Sequence, residues 1–175
     1  MSRNWRISAF SGALLAAYFI PAWTIVAFRI MISPVHGFYE LPNVAVAFFV
    51  SDHLHLAAIS TIRLAWLLAL GKVTAVAFFA IFLAFLTRAA IRKRGGCDEA
   101  LAIALAIASV ISFVSMVMAS QVGEAAALRL HATELLLLLG GAIVLVVEPP
   151  AEPQVASDAV SADLTLQQSQ LANNG

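Results

Sequence analysis

The sequence predicts an all-α fold: a four-helix transmembrane bundle with an additional outer-face helix and a disordered C-terminal tail. Hydrophobic residues make up 62% of the 175 residues, and charged residues make up only 11%. Four apolar runs are long enough to cross a bilayer, because a hydrocarbon core about 30 Å thick needs about 20 apolar residues in a helix. The charges cluster between these runs, and no alternating strand pattern occurs.

The predicted transmembrane domain covers residues 1–148, with spans at about 7–32, 57–90, 100–120 and 125–147. The first run is about twice as long as the apolar part of a secretory signal, so we expect it to be retained as a helix. Residues 149–175 contain no aromatic side chain and are rich in small polar residues. Such a segment buries too little apolar surface to offset its ordering entropy, so a disordered cytoplasmic tail is predicted.

The segment between the first and third spans allows two interpretations. In one, an outer-face helix from Asn43 to about Leu56 leads into a single crossing. In the other, the segment divides at Gly71–Lys72 into two crossings, which gives five in all. The basic turn Arg92–Arg94 should remain in the cytoplasm, as should the arginines at positions 3 and 6. An even number of crossings must then separate them, which predicts four spans with both termini cytoplasmic, typical of a bacterial inner membrane protein.

Small residues recur at every fourth position of the third span. This series consists of Ala100, Ala104, Ala108, Ser112, Met116 and Ser120, in which only the methionine is large. Small residues at this spacing let two helix backbones approach closely. The series therefore predicts a packing surface, and the short turn after it makes the third and fourth spans an antiparallel hairpin.

Composition and motifs exclude several classes of function. Ten basic and ten acidic residues give no net charge, which argues against nucleic-acid binding. The single cysteine, Cys97, cannot form an intramolecular disulfide or a multi-thiolate metal site. The sequence has no nucleophile elbow, zinc-protease motif or phosphate-binding loop, so no catalytic residue is predicted. The expected partners are the lipid bilayer and other membrane subunits.

The four-span topology places most of the unusual polar side chains at the outer end of the bundle. They are His36, Glu40, Asp52, His53, His55, Arg63, Glu124, Arg129, His131 and Glu134. A rotation of about 100° per residue puts Asp52, His55 and Arg63 on one stripe of a helix. The same rule places Glu124, His131 and Glu134 within about 80° of one another. Ionisable groups at the depth of His131 are usually turned inward and paired.

Three hypotheses account for these residues. In the structural one, Arg63 pairs with Glu134 or Asp52, and the histidines donate hydrogen bonds within the bundle. In the second, Asp52-x-x-His55 and His131-x-x-Glu134 hold a divalent metal, since bundle metalloproteins use such i,i+3 pairs. In the third, His55 and His131 are the two axial ligands of a haem.

Lys72 is a separate problem, because a lysine in the middle of a span costs about 2.5–3.5 kcal/mol on insertion scales. Facing inward, it could bind an anion or relay protons. The run from Val73 to Leu86 offers no charged partner. We therefore predict a helix shifted along its axis, with Lys72 extending to the interface.

The sequence as a whole predicts a small, non-enzymatic integral membrane protein that serves as an accessory or structural subunit. A metal- or haem-binding redox protein that uses the outer histidines is the first alternative. A small transporter with Lys72 and Arg63 on its pathway is the second.

Overall fold

The protein folds as a helical bundle. The computed structural model describes residues 7–88 and 96–148, and every regular element in these two ranges is helical. The long helices are α1 (Ile7–Ile32), α4 (Ala58–Thr87), α5 (Gly96–Val122) and α6 (Ala125–Val147). All four are long and apolar enough to cross a membrane. The predicted fold class, a four-helix transmembrane bundle with an additional helix, is confirmed.

The segment with two interpretations contains one long crossing. Helix α4 runs without a break through Gly71 and Lys72, so the interpretation with five spans is wrong. A glycine in a helix costs only about 1 kcal/mol relative to alanine, which the burial of a long apolar helix readily outweighs. The predicted disordered tail (149–175) and the basic turn Arg92–Arg94 lie outside the described residues.

The four long helices form a closed ring. Helix α1 packs on α4, α4 on α5 and α5 on α6, and a smaller contact between α6 and α1 completes the ring. Each helix buries one stripe whose members recur at three- and four-residue intervals, as a single helix face requires. On α6 this stripe consists of Ala127, His131, Glu134, Leu138 and Gly141. The remaining faces expose large apolar side chains, as expected of helices surrounded by lipid.

The small-residue series on α5 is buried in its first half. Ala100, Ala104, Ala108 and Ser112 are buried, whereas Ser120 is exposed. Beyond Ser112, the buried positions shift by three residues to Ser115 and then to Ala119. A strict four-residue repeat drifts around a helix of 3.6 residues per turn, so the repeat could not stay on the buried face for the full length.

The chain between α1 and α4 forms a cap over one end of the bundle. We call residues 33–57 the cap segment. It contains α2 (Pro34–Phe38) and α3 (Val44–Phe49), and α3 continues into a single π-helical turn, Val50–Leu54. Pro34 is at the start of α2, where its missing N–H costs no hydrogen bond. The predicted outer-face helix is thus present in α3, but it is shorter than expected and is preceded by a second short helix.

One polar contact attaches the cap segment to α1, and a second lies within the cap segment. The Arg29 guanidinium donates to the Glu40 carboxylate at 2.9 Å, and the buried Asn43 amide donates to the Gly37 carbonyl at 3.0 Å. Gly37 lies directly against the backbone of α1: a Cβ at this position would be 2.6 Å from the nitrogen of Ile30. Only glycine permits this close approach of two backbones.

The opposite end of the bundle is closed by Glu148, directly after α6. Its carboxylate accepts hydrogen bonds from the backbone N–H groups of Ile7 and Ser8, at 3.1 and 2.8 Å. These amides belong to the first turn of α1 and have no partner within their own helix. The carboxylate therefore caps the positive end of α1 and joins the first span to the last.

Candidate functional site: a buried polar centre

Five polar or aromatic side chains meet in the interior of the bundle, and every long helix contributes at least one. We call this group the polar centre: Trp23 from α1, Lys72 from α4, Ser112 from α5, and His131 and Glu134 from α6. On α4, Lys72 lies between Ala69 and Ala75, which belong to two different apolar clusters of the core. The polar centre therefore lies where these two clusters meet.

Glu134 is the acceptor on which the other side chains converge. Its Oε1 atom accepts from the Trp23 indole at 3.2 Å, and its Oε2 atom accepts from Ser112 at 3.4 Å. The Nδ1 atom of His131 lies 3.0 Å from Oε2, one helical turn away on the same face. A carboxylate can accept from several donors at once, and donors reduce the cost of burying its charge.

His131 connects this carboxylate to the cap segment. Its Nε2 atom donates to the carbonyl oxygen of Pro42 at 3.1 Å, while Nδ1 faces Glu134. Both partners present oxygen atoms, so each ring nitrogen has a polar partner. The ring is only 2% exposed. The prediction that His131 is turned inward and paired is confirmed.

Lys72 occupies the middle of α4 and is buried, with 2% of its surface exposed. Its ammonium lies 4.6 Å from the centroid of the Trp23 ring. Electrostatic attraction also links it to Glu134, which accepts from the N–H edge of this indole. The predicted shifted helix, with Lys72 extending to the interface, is therefore wrong. The physical reason is that its partners belong to other helices, α1 and α6, which inspection of the neighbouring sequence on α4 could not reveal.

Three further candidate residues, Asp52, His55 and Arg63, lie in the cap segment or in the first turns of α4 and are exposed. Asp52 and His55 are both exposed, and the chain leaves the helix at His55, whose φ is 43°. Residues 55–57 are not helical, so the proposed stripe of Asp52, His55 and Arg63 on one continuous helix does not exist. Arg63 is also exposed, and the donors to Glu134 are Trp23, Ser112 and His131 instead.

The predicted ligand set is divided between two environments. His131 and Glu134 are buried in the polar centre, whereas Asp52 and His55 are exposed in the cap segment. Within residues 7–88 and 96–148, no group of three or more His, Cys, Asp or Glu side chains is placed to hold a metal ion. Binding of a metal or haem iron by His131 would require one of its two ring nitrogens to leave its present partner.

Two members of the polar centre, Trp23 and Ser112, were not predicted from the sequence. Ser112 belongs to the small-residue series and was interpreted as a packing residue, and Trp23 was one aromatic residue among many apolar ones. The available signal was that a buried indole N–H requires an acceptor, and Glu134 is the acceptor that it finds. The Pro42 carbonyl carries no sequence signal, because every residue has one.

The fold and this centre define the class of the protein: a small helical membrane protein with four apolar helices that could span a bilayer. Comparisons with protein-family models, curated proteins and solved structures gave no match to this chain.

Proposed function

We propose that this chain is a non-enzymatic membrane subunit, accessory or structural in role, whose spans are held in one arrangement by the polar centre. The observation that carries the proposal is the set of contacts around Glu134. Trp23 of α1 and Ser112 of α5 donate to it, His131 of α6 contacts it, and Lys72 of α4 attracts it. Every long helix therefore contributes a side chain to the surroundings of one buried carboxylate.

A structural role follows from the energetics of charge in a bilayer. Ionisable residues inside a membrane are expensive and become tolerable when they face the bundle and pair. Once they are paired, any rotation or sliding of one helix leaves a buried charge without its partner, which is strongly unfavourable. The polar centre thus favours a single register of the four helices, while the apolar lipid-facing surfaces remain available for other membrane subunits.

Transport is a second candidate, and the position of Lys72 favours it. A lysine halfway along a crossing, with Glu134 and His131 nearby on another helix, is the kind of group that proton or ion pathways use.

A flux measurement separates the two roles. Purified protein in proteoliposomes is tested for proton and ion flux, together with Lys72→Met and the lipid-facing control Val73→Met. The structural role predicts no flux above that of empty liposomes. A flux that Lys72→Met abolishes and Val73→Met preserves, in correctly folded protein, would establish transport instead.

A ligand-binding role for His55 and His131 is tested by the purified protein itself. A Soret band in its absorption spectrum would support haem, and stoichiometric metal by elemental analysis would support a metal centre at Asp52, His55, His131 and Glu134. In either event, His131→Ala must remove the bound group while the exposed control His36→Ala retains it. Such a result would overturn the non-enzymatic structural role.

We further propose a bacterial inner membrane location with both termini in the cytoplasm. This rests on the basic residues near the first span and after α4, which are expected to stay inside. Single cysteines at Leu41 in the cap segment and at Thr87 at the end of α4, in a Cys97→Ser background, test it. Leu41→Cys should react with an impermeant maleimide added outside the cells, and Thr87→Cys should react only after permeabilisation. The reverse pattern would contradict the orientation.

A further inference from the structure

A cavity under the cap segment is not part of the polar centre. Its volume is about 320 Å³, and it lies between α2, the π-helical turn and the first turns of α4. This volume is at the lower end of the range for small-molecule sites, which is about 300–1,000 Å³. The cavity is thus large enough for part of a lipid-sized molecule.

The lining of the cavity combines apolar walls with hydroxyl groups. Phe38, Leu56 and Ile62 provide apolar surface, and Tyr39, Ser51 and Thr61 provide hydroxyls. Within the described residues, the side-chain hydroxyls of Tyr39 and Ser51 make no hydrogen bond, so both are available to a ligand. Thr61 donates to the carbonyl of Ala57, which leaves its oxygen free to accept.

No charged or histidine side chain lines the cavity, although the cap segment is rich in them. A charged ligand placed there would lose hydration without gaining a counter-charge, which is costly. An uncharged head group that exchanges hydrogen bonds with hydroxyls avoids this cost. The lining therefore selects for a neutral molecule.

The backbone around the cavity departs from regular geometry at two places. Val50–Leu54 form a π-helical turn, and His55 adopts a left-handed conformation with φ 43° and ψ 40°. π-Helical turns occur frequently at functional sites, and left-handed non-glycine residues persist only where the surrounding structure imposes them. Ser51 of the π-helical turn lines the cavity, and the non-helical residues 55–57 separate this turn from α4.

We propose that this cavity binds an uncharged amphiphile, with an apolar body against Phe38, Leu56 and Ile62 and a hydroxyl or carbonyl head near Tyr39, Ser51 and Thr61. The cavity is open at the start of α4, where its lining residues Leu56 and Ile62 are exposed, so such a molecule can enter it from outside the bundle. A neutral glycerolipid and a quinone both have this chemistry, and the experiment distinguishes them.

The test uses the full chain in phosphatidylcholine nanodiscs. Diazirine-bearing dioctanoylglycerol and diazirine-bearing decylubiquinone are the neutral probes, and diazirine-bearing dioctanoylphosphatidic acid is the charged control with the same chains. Photolabelling should saturate with one or both neutral probes and map to residues 34–62. Saturation by one probe alone identifies the source, and saturation by both shows that the site takes either head group. Labelling by the phosphatidic acid analogue with equal affinity would overturn the proposal, as would non-saturable labelling by every probe.

Matched variants of α4 complete the test. Ala58 lines the cavity, and Ala77 is exposed on the same helix away from it. Ala58→Phe fills the space and should weaken labelling by at least about tenfold, whereas Ala77→Phe should leave it unchanged. Thermal unfolding of both variants shows whether they are folded. Full labelling of a folded Ala58→Phe variant would show that the probe binds elsewhere and would refute the site.

Discussion

Trp23 donates its indole N–H to Glu134 at 3.2 Å and presents its ring face to Lys72. The indole therefore contacts two opposite charges in the interior of the bundle, one at its edge and one at its face. Its orientation suits both, because the ring face carries the negative side of the quadrupole and the N–H edge carries the positive side. A tryptophan oriented in this way lets an ammonium and a carboxylate attract each other without direct contact.

This arrangement predicts strong coupling between Lys72 and Glu134. Lys72→Met alone leaves the carboxylate without its cation, and Glu134→Gln alone leaves a buried ammonium, so each should destabilise the protein by about 3–5 kcal/mol, as when a buried ion pair is broken. The double variant removes both charges and should be more stable than either single variant. Thermal unfolding of the four proteins in one detergent measures the coupling. Additive losses would show that the two charges do not interact.

The two contacts of Trp23 can be separated by substitution. Trp23→Phe keeps a ring beside Lys72 but removes the N–H, so it should cost about 1.5–3 kcal/mol, the range for a hydrogen bond to a charged group. Trp23→Leu removes both contacts and should cost more. Phe19, which packs edge-on against Trp23, provides the control Phe19→Leu: it changes packing but no polar contact. Equal stability of Trp23→Phe and the wild type would show that the indole N–H contributes nothing.

The contact of Glu148 with the first turn of α1 predicts that the charge of this carboxylate stabilises the packing of α1 against α6. Glu148→Gln keeps the shape of the side chain but removes the charge beside the first turn of α1, so stability should fall by about 0.3–2 kcal/mol. Glu124→Gln is a suitable control, since Glu124 precedes α6 without forming a side-chain cap. Added salt should reduce the difference between the wild type and Glu148→Gln. An equal effect of the two substitutions would contradict this stabilisation.

Two glycines provide a further matched pair. Gly37→Ala places a methyl group against the backbone of α1 near Ile30, where neither chain can yield easily. It should loosen the cap segment and lower stability by about 1–3 kcal/mol, as overpacking does. Gly140→Ala meets no atom within 4 Å and replaces a helical glycine, so it should be neutral or stabilising. Hydrogen exchange of the cap segment, measured alongside thermal unfolding, would show whether the loss of stability arises there. Unchanged exchange rates in Gly37→Ala would refute the predicted loosening of the cap segment.

The left-handed backbone at His55 predicts an unusual response to substitution. A non-glycine residue in this conformation costs about 1–2 kcal/mol, so His55→Gly should leave stability unchanged or raise it. His55→Val should lower stability, because β-branched residues tolerate this region poorly. His53 lies two residues earlier, within the π-helical turn, so His53→Val should cause a smaller loss of stability than His55→Val. Similar losses for both valine variants would argue against strain at His55.

The sequence by itself determined the number and approximate extent of the four crossings. Apolar length and the positions of charges are properties of a continuous stretch of chain, so they can be summed without knowledge of the fold. The sequence also predicted the inward face of α6, because His131 and Glu134 are three residues apart and must lie on the same side of a helix.

Only the tertiary structure decided what these residues contact. Trp23 and Glu134 are separated by 111 residues, and His131 reaches the carbonyl of Pro42, 89 residues away. The rotation of each helix about its axis is set by packing against its neighbours, which no local pattern encodes. For the same reason the burial of Lys72 was predicted wrongly, and the left-handed backbone at His55 was not predicted, although the boundary between the outer-face helix and the second span was. Partners on other helices stabilise the lysine, and the surrounding fold imposes the left-handed turn.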